Sequence, residues 1–196
     1  MAWLTLFRLC GARRALTARR GGKPGAKSGA TALELALVAP IFFVLMFAIV
    51  EAGAVYIGES WLAFATRDVA RELRTGQVQA QQITQQQFRD KVCQKLAPMF
   101  ACDTKLMIDV RAYNDFASAS YSAPLDSNGN LVSGFNNYQP GTACQVVLVR
   151  TFYQWQVQTP FFTPFLVNMS QGRRLLSAAD AFRNEPFTSG VQGCGT

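Results

Sequence analysis

From Ala30 to Val50 the chain runs 21 residues with one ionisable group, Glu34. A helix rises ~1.5 Å per residue, so about 20 apolar residues cross a hydrocarbon core of ~30 Å. A buried helix in a soluble core rarely needs so long a run beside a basic flank. The run therefore predicts a membrane-spanning helix over residues 30–58, with Leu35 to Ile57 in the transmembrane stretch. Pro40 falls inside it, frees one backbone carbonyl and is expected to kink the helix.

A span divides the rest of the chain between two compartments, and charge assigns them. The net charge of +7 suggests a nucleic-acid partner until it is split by position. Arg8, Arg13, Arg14, Arg19, Arg20, Lys23 and Lys27 precede Gly29 with no acidic residue among them, while basic and acidic residues balance over residues 30–196. The excess thus sits in residues 1–29 and reads as a cytoplasmic leader that sets topology. Everything beyond Gly58 is placed outside the cytoplasm. The neutral body offers no phosphate-binding surface, and no nucleic-acid partner is expected. Membrane lipid is.

Beyond the span, Trp61, Leu62, Phe64, Ala65, Val69 and Leu73 recur at spacings of about three and four. They predict an amphipathic continuation of the helix to Thr75 or Gly76. The Gln-rich stretch Gln77–Gln87 reads as a connector or frayed helix, and Phe88–Leu96 as a short second helix stopped by Pro98. Residues 59–97 form this helical part. Residues 98–196 read as strands: Leu106–Tyr113 alternates, Gln145–Val157 alternates more strongly, and Gly172–Phe182 suits strand or helix. Turn-rich segments at Asp126–Asn130, Asn136–Asn137, Gln139–Gly141 and Thr159–Pro164 separate them. The expected class is α+β, a long N-terminal transmembrane and amphipathic helix followed by a small antiparallel-sheet domain.

There is no histidine, which removes the usual general base and the commonest metal ligand. Asp109, Asp115, Asp126 and Asp180 are the carboxylates of a conceivable tethered enzyme, but no catalytic motif surrounds them. No enzyme activity, cofactor or metal site is expected. Of five cysteines, Cys10 lies in the leader and should stay reduced, while Cys93, Cys102, Cys144 and Cys194 lie where oxidation is permitted. These four lack a Cys-x-x-Cys pair, so disulfides are expected rather than a metal. They allow three pairings. Cys93 with Cys102 closes a loop worth about 2.5 kcal/mol and would leave Cys144 with Cys194, but the sequence alone leaves the pairing open. Within Phe152–Phe165, Phe152 and Trp155 are expected in the core, with Phe161, Phe162 and Phe165 unassigned. Glu51 reads either as a partner contact or as a marker of the outer membrane–water boundary, and the boundary is the simpler account. Gly53, Gly58, Ala52 and Ala54 would let helices approach closely.

The segment Gly29-Ala-Thr-Ala-Leu-Glu34 has a mechanical logic. Glycine lets the backbone extend into a peptidase at the membrane face. Cleavage between Gly29 and Ala30 would leave a new ammonium on Ala30 and a carboxylate, Glu34, at the fifth position. That carboxylate is costly in lipid unless paired, and the Ala30 ammonium of a neighbouring subunit is a suitable partner.

Gly29–Glu34, followed by Leu35-Ala-Leu-Val-Ala-Pro40 and Val50-Glu-Ala-Gly53, resembles the N-terminus of the TadE-like family, minor pseudopilins of Tad (Flp-type) type IV pilus systems. Phe88–Tyr113 and Arg183-Asn-Glu-Pro-Phe187 extend the resemblance over most of the chain; Leu35 departs from it, standing where many members carry an aromatic. The resemblance implies a non-enzymatic, pilin-like protein cut by a prepilin peptidase and retained in the bacterial inner membrane, with a cytoplasmic N-terminus and a periplasmic C-terminal domain. It implies other pilin-like subunits and the Tad inner-membrane assembly platform as partners, and an adhesive pilus as the product. A signal-peptidase cut after Ala54 in Ala52-Gly-Ala54, or no cut at all, is the alternative and would give a secreted or simply anchored domain.

Overall fold

The computed structural model of the chain describes residues 26–97, 100–102, 104–159, 163–187 and 194. Two compact units, Met1–Phe42 and Phe43–Thr196, make up the chain. One helix, α1 (Ala26–Arg74), has residues in both. Its 49 residues are more than twice the ~20 that a hydrocarbon core requires. In the first unit its apolar side chains Leu33, Leu35, Leu37, Val38, Ile41 and Phe42 are all exposed. Pro40 sits inside the helix without ending it. The apolar window of α1 has a mean hydropathy of 2.6 and none of it is buried, so α1 is long and apolar enough to cross a membrane.

The second unit is α+β. The remainder of α1 is followed by α2 (Gln77–Ala80), α3 (Gln85–Leu96), β1 (Leu106–Tyr113), β2 (Val146–Gln156), α4 (Thr163–Leu166) and β3 (Arg173–Arg183). The Gln-rich stretch, expected as a connector or frayed helix, holds the single turn of α2, four non-helical residues and the start of α3. Thr84 starts α3 earlier than its apolar periodicity suggests, because its side chain and that of Gln87 form a reciprocal capping box. The three strands form an antiparallel meander, β1-β2-β3. The mixed segment after Gly172 is a strand, since β3 pairs with β2 along its whole length, from Val146 opposite Arg183 to Gln156 opposite Arg173.

One sheet face packs on α1. Val55, Leu62, Ala65, Val69, Ala70 and Leu73 fall on one stripe and are buried with Ile108, Val110, Val147, Val149, Tyr153 and Leu176. Trp61 and Phe64, expected on that stripe, lie on other sides of the helix and are exposed. Gly58 lets the sheet come close, since a Cβ there would sit 3.1 Å from Leu176 Cδ1. Deeper in, the Thr66 and Thr151 hydroxyls meet at 2.6 Å and join α1 to the central strand.

The opposite face is covered too, by the long β1–β2 connection. Phe135, Phe152, Met169 and Leu175 form a second cluster there. It encloses an ion pair: Asp109 and Arg150 stand directly opposite on β1 and β2, and both side chains are fully buried. Arg150 Nε and Nη2 donate to Asp109 Oδ2 at 3.1 and 2.5 Å, while the guanidinium lies 4.6 Å from the Phe135 ring centroid. Asn137 donates to Oδ1 through its side chain (2.9 Å) and its backbone (3.2 Å). Burial pushes the Asp109 carboxyl up, but the bonds from Asn137, Arg150 and Arg111 outweigh it and hold the group below its usual 3.8.

Removing one partner of such a pair leaves a buried charge without its counterpart, typically costing about 3–5 kcal/mol. Asp109→Asn should therefore lower the urea midpoint of the detergent-solubilised chain at pH 7. The sign of the pH dependence follows from the depressed carboxyl. Its stabilisation is present above the usual 3.8 and is lost as pH falls through the lower folded value, so Asp109→Asn should also flatten the acid limb of the stability curve.

Candidate functional site

The sequence points first to the N-terminal part of α1. The helix begins at Ala26 and runs through Gly29 and Ala30, so the bond between them is helical. A Cβ on Gly29 would meet nothing within 4 Å. Glu34 is exposed one turn further on, with no side-chain hydrogen bond or ion pair among the described residues. Most of the basic segment before it, with Cys10, lies outside the described residues.

In the second unit the exposed side of α1 stays apolar as far as Phe64. Tyr56, Ile57, Ser60, Trp61 and Phe64 line a shallow groove of 450 Å³. Tyr56 and Phe64 are 72% and 62% exposed, although the stripe behind them is buried. One polar tie fixes an edge of this surface, Trp61 Nε1 donating to the Lys95 carbonyl at 3.0 Å. Glu51, inside the expected transmembrane stretch, is 8% exposed and intramolecular in its contacts. Its Oε2 accepts from the Thr159 hydroxyl (2.9 Å) and its Oε1 from the Gln158 backbone (3.2 Å). Glu51 thus holds α1 to the segment after β2, a role that neither reading of the sequence contained. Val55 beside it is also buried, which puts the Ala54–Val55 bond of the alternative cleavage inside a packed helix.

The four carboxylates of a conceivable enzyme are engaged separately. Asp109 is neutralised in its ion pair. Asp115 Oδ1 accepts from Ser118 N, and Asp126 Oδ1 from Asn128 N and Asn130 N, each within its own turn. Asp180 lines a groove of 290 Å³ with Arg67, Arg71 and Arg74. Among the described residues no group of three or more His, Cys, Asp or Glu could hold a metal ion.

Cys93 bridges Cys102, and Cys144 bridges Cys194. The second bridge completes a clasp around Arg183-Asn-Glu-Pro-Phe187. Asn184 is buried, and its Nδ2 donates to the carbonyls of Pro140 and Thr142. Glu185 N donates to the Arg74 carbonyl at 2.9 Å, and its carboxylate lies 3.4 Å from Arg74 Nε. Phe187 covers Gly76, which has φ +76° and no room for a Cβ: one would lie 2.3 Å from Phe187 Cγ. The motif thus fastens the end of α1 to the start of β2. Of the sequence-expected aromatics, Phe152 is buried, Trp155 half-buried and Phe165 80% exposed, while Phe161 and Phe162 lie outside the described residues.

Two outcomes test the clasp and the bridges. Gly76→Ala should cost about 1–2 kcal/mol from its left-handed backbone alone. In a double-mutant cycle with Phe187→Ala the combined loss should fall short of the sum, because removing the ring relieves the clash. Alkylation of the unreduced full-length chain, purified with residues 1–29 still attached, should label Cys10 alone, and non-reducing peptide maps should contain Cys93–Cys102 and Cys144–Cys194 cross-links.

Residues 29–71 match the family model of TadE-like proteins. The match covers the apolar part of α1 and most of its amphipathic continuation. It ends before Phe88–Tyr113 and before Arg183–Phe187, the other segments on which the resemblance to that family rests. No curated protein and no solved structure matches the chain.

Proposed function

We propose that the chain is a structural minor pseudopilin of a Tad (Flp-type) pilus system, cut by a prepilin peptidase between Gly29 and Ala30. It is held in the inner membrane by α1 with residues beyond the span on the periplasmic side, and it acts in assembling an adhesive pilus. The match of residues 29–71 to TadE-like proteins supports a Tad pilus-related minor-pilin role. That role is structural rather than enzymatic.

The observation that carries the reading is the exposed apolar stripe Tyr56, Ile57, Trp61 and Phe64. A helix that served only as an anchor would turn polar on its open side once clear of lipid. Here α1 keeps aromatic and aliphatic side chains in the open opposite a stripe already packed on the sheet. The burial of Glu51 and Val55 in the second unit favours a lipid-facing stretch that closes near Val50. Ala30–Val50 is still about the length a bilayer needs. The remaining stripe suits other pilin-like helices, and the assembly platform in the membrane is the proposed place where they meet. The unpartnered Glu34 suits the Ala30 ammonium of a neighbour for the reason lipid imposes, that an isolated carboxylate there is expensive.

The helical state of the Gly29–Ala30 bond adds a requirement: the peptidase must unwind the first turn. Glycine eases this, since it weakens a helix by roughly 0.5–1 kcal/mol relative to alanine.

Mass spectrometry of the mature N-terminus, with and without the prepilin peptidase, is the test. A peptidase-dependent start at Ala30 is expected, and Gly29→Val should leave the leader uncut. Glu34→Gln should be cut normally yet fail to co-purify with other pilin-like subunits. A start at Val55 would make the chain a secreted domain, and an intact leader would make it a plain anchor.

A further inference from the structure

β3 is an edge strand, and its register shows which backbone groups it leaves open. Asn184 N donates to the Gln145 carbonyl and Val157 N to that of Gly172, so the even-numbered residues of β3 direct their backbone groups at β2. The odd-numbered ones direct theirs outward. At one end these are occupied: the Arg173 carbonyl accepts from Met169 N, and Leu175 N donates to Asn168 Oδ1. Further along, Ser177, Ala179 and Ala181 are exposed, and among the described residues nothing pairs with their outward N–H and C=O groups. Sheet proteins usually blunt such an edge with proline, charged side chains or a bulge. Between Ser177 and Ala181 there is no proline, and the one charge is Asp180, which lies among arginines in the groove beside the edge.

The groove beside this edge is basic in net charge, three arginines against one aspartate. Arg67, Arg71 and Arg74 of α1 line it with Asp180, Ala181 and Phe182. Arg74 has Glu185 as its partner. Arg67 and Arg71 are exposed, with no side-chain hydrogen bond or ion pair among the described residues.

We propose that the outer edge of β3 receives an extended acidic segment of another protein as a fourth strand. Ser177, Ala179 and Ala181 supply the main-chain hydrogen bonds, and Arg67 and Arg71 receive carboxylates from alternate positions of the added strand. The small side chains of Ser177, Ala179 and Ala181 leave room for apolar residues on its other face. A second copy of this chain is the poorer occupant. Two β3 edges paired about Ala179 would bring both arginine rows to the same sheet face across one junction, where like charges repel. The surface belongs to the sheet unit and stands whether or not α1 enters a pilus-like bundle.

The test uses the full chain in detergent and two fluorescein-labelled peptides, Thr-Val-Glu-Val-Glu-Val-Thr and Thr-Val-Lys-Val-Lys-Val-Thr. The glutamate peptide should bind, less tightly as salt rises, and the lysine peptide should not. Ala179→Pro removes an outward N–H without touching the β2–β3 ladder. It and the double variant Arg67→Glu, Arg71→Glu should each weaken binding by about tenfold or more. Circular dichroism checks the fold, and the arginine variant carries the test if the proline variant unfolds. Equal binding of both peptides, no binding of the glutamate peptide, or unchanged binding in the variants would overturn the proposal. So would mass photometry showing a dimer that Ala179→Pro turns into a monomer, since the occupant would then be a second copy.

Discussion

The sheet unit depends on the packing of α1 against the sheet. Three strands alone expose the row formed by Ile108, Val110, Val147, Val149 and Leu176, and a sheet of this size needs a cover to persist in water. α1 supplies it with a stripe of Leu, Val and Ala, brought close by Gly58 and tied at depth by the Thr66–Thr151 hydroxyl pair. The remaining fasteners act on this layer. Glu51 holds it near the outer end of the apolar run, Glu59 reaches Arg174 of β3, and the Asn184–Phe187 clasp closes its far end.

That packing restricts what else α1 can do. One stripe is spent on the sheet, so contacts with other helices must use the side on which Tyr56, Ile57, Trp61 and Phe64 stay open. Two turns further along, the open side becomes Arg67, Arg71 and Arg74. The helix thus changes from an apolar surface suited to lipid or other helices to a basic one suited to carboxylates, with no break in its backbone. The second sheet face follows a different rule. It is sealed by a loop rather than a helix, and its buried Asp109–Arg150 pair favours one register of β1 against β2, because a one-residue slip of either strand would put the two charges on opposite faces.

The elements were largely legible because their signals are local. The apolar run, the three-and-four spacing from Leu62 to Leu73 and the alternation in β1 and β2 each report a periodicity that neighbouring residues carry alone. The third strand was ambiguous because Arg173–Arg183 mixes small, charged and aliphatic residues, and only pairing with β2 makes it a strand. Trp61 and Phe64 count among the recurring apolar positions of the amphipathic helix, yet a 100° step per residue sends them to the open side. Glu51 could not be read, since its partners at Gln158 and Thr159 are more than a hundred residues away. Asp109 and Arg150 carried a faint signal, as charges set within otherwise apolar strands.

By itself the sequence determined that a 21-residue apolar segment follows a basic N-terminal segment, that the body beyond it is neutral and α+β, and that four cysteines stand ready to pair. Those properties follow from composition and short-range period, which no partner in space alters. Only the tertiary structure decided which cysteines meet, which side of α1 is spent on the sheet, and which strand edge is left with open hydrogen-bonding groups beside a row of arginines. Each of these depends on groups far apart in the chain arriving at one place, and that is fixed by how the helix and strands pack.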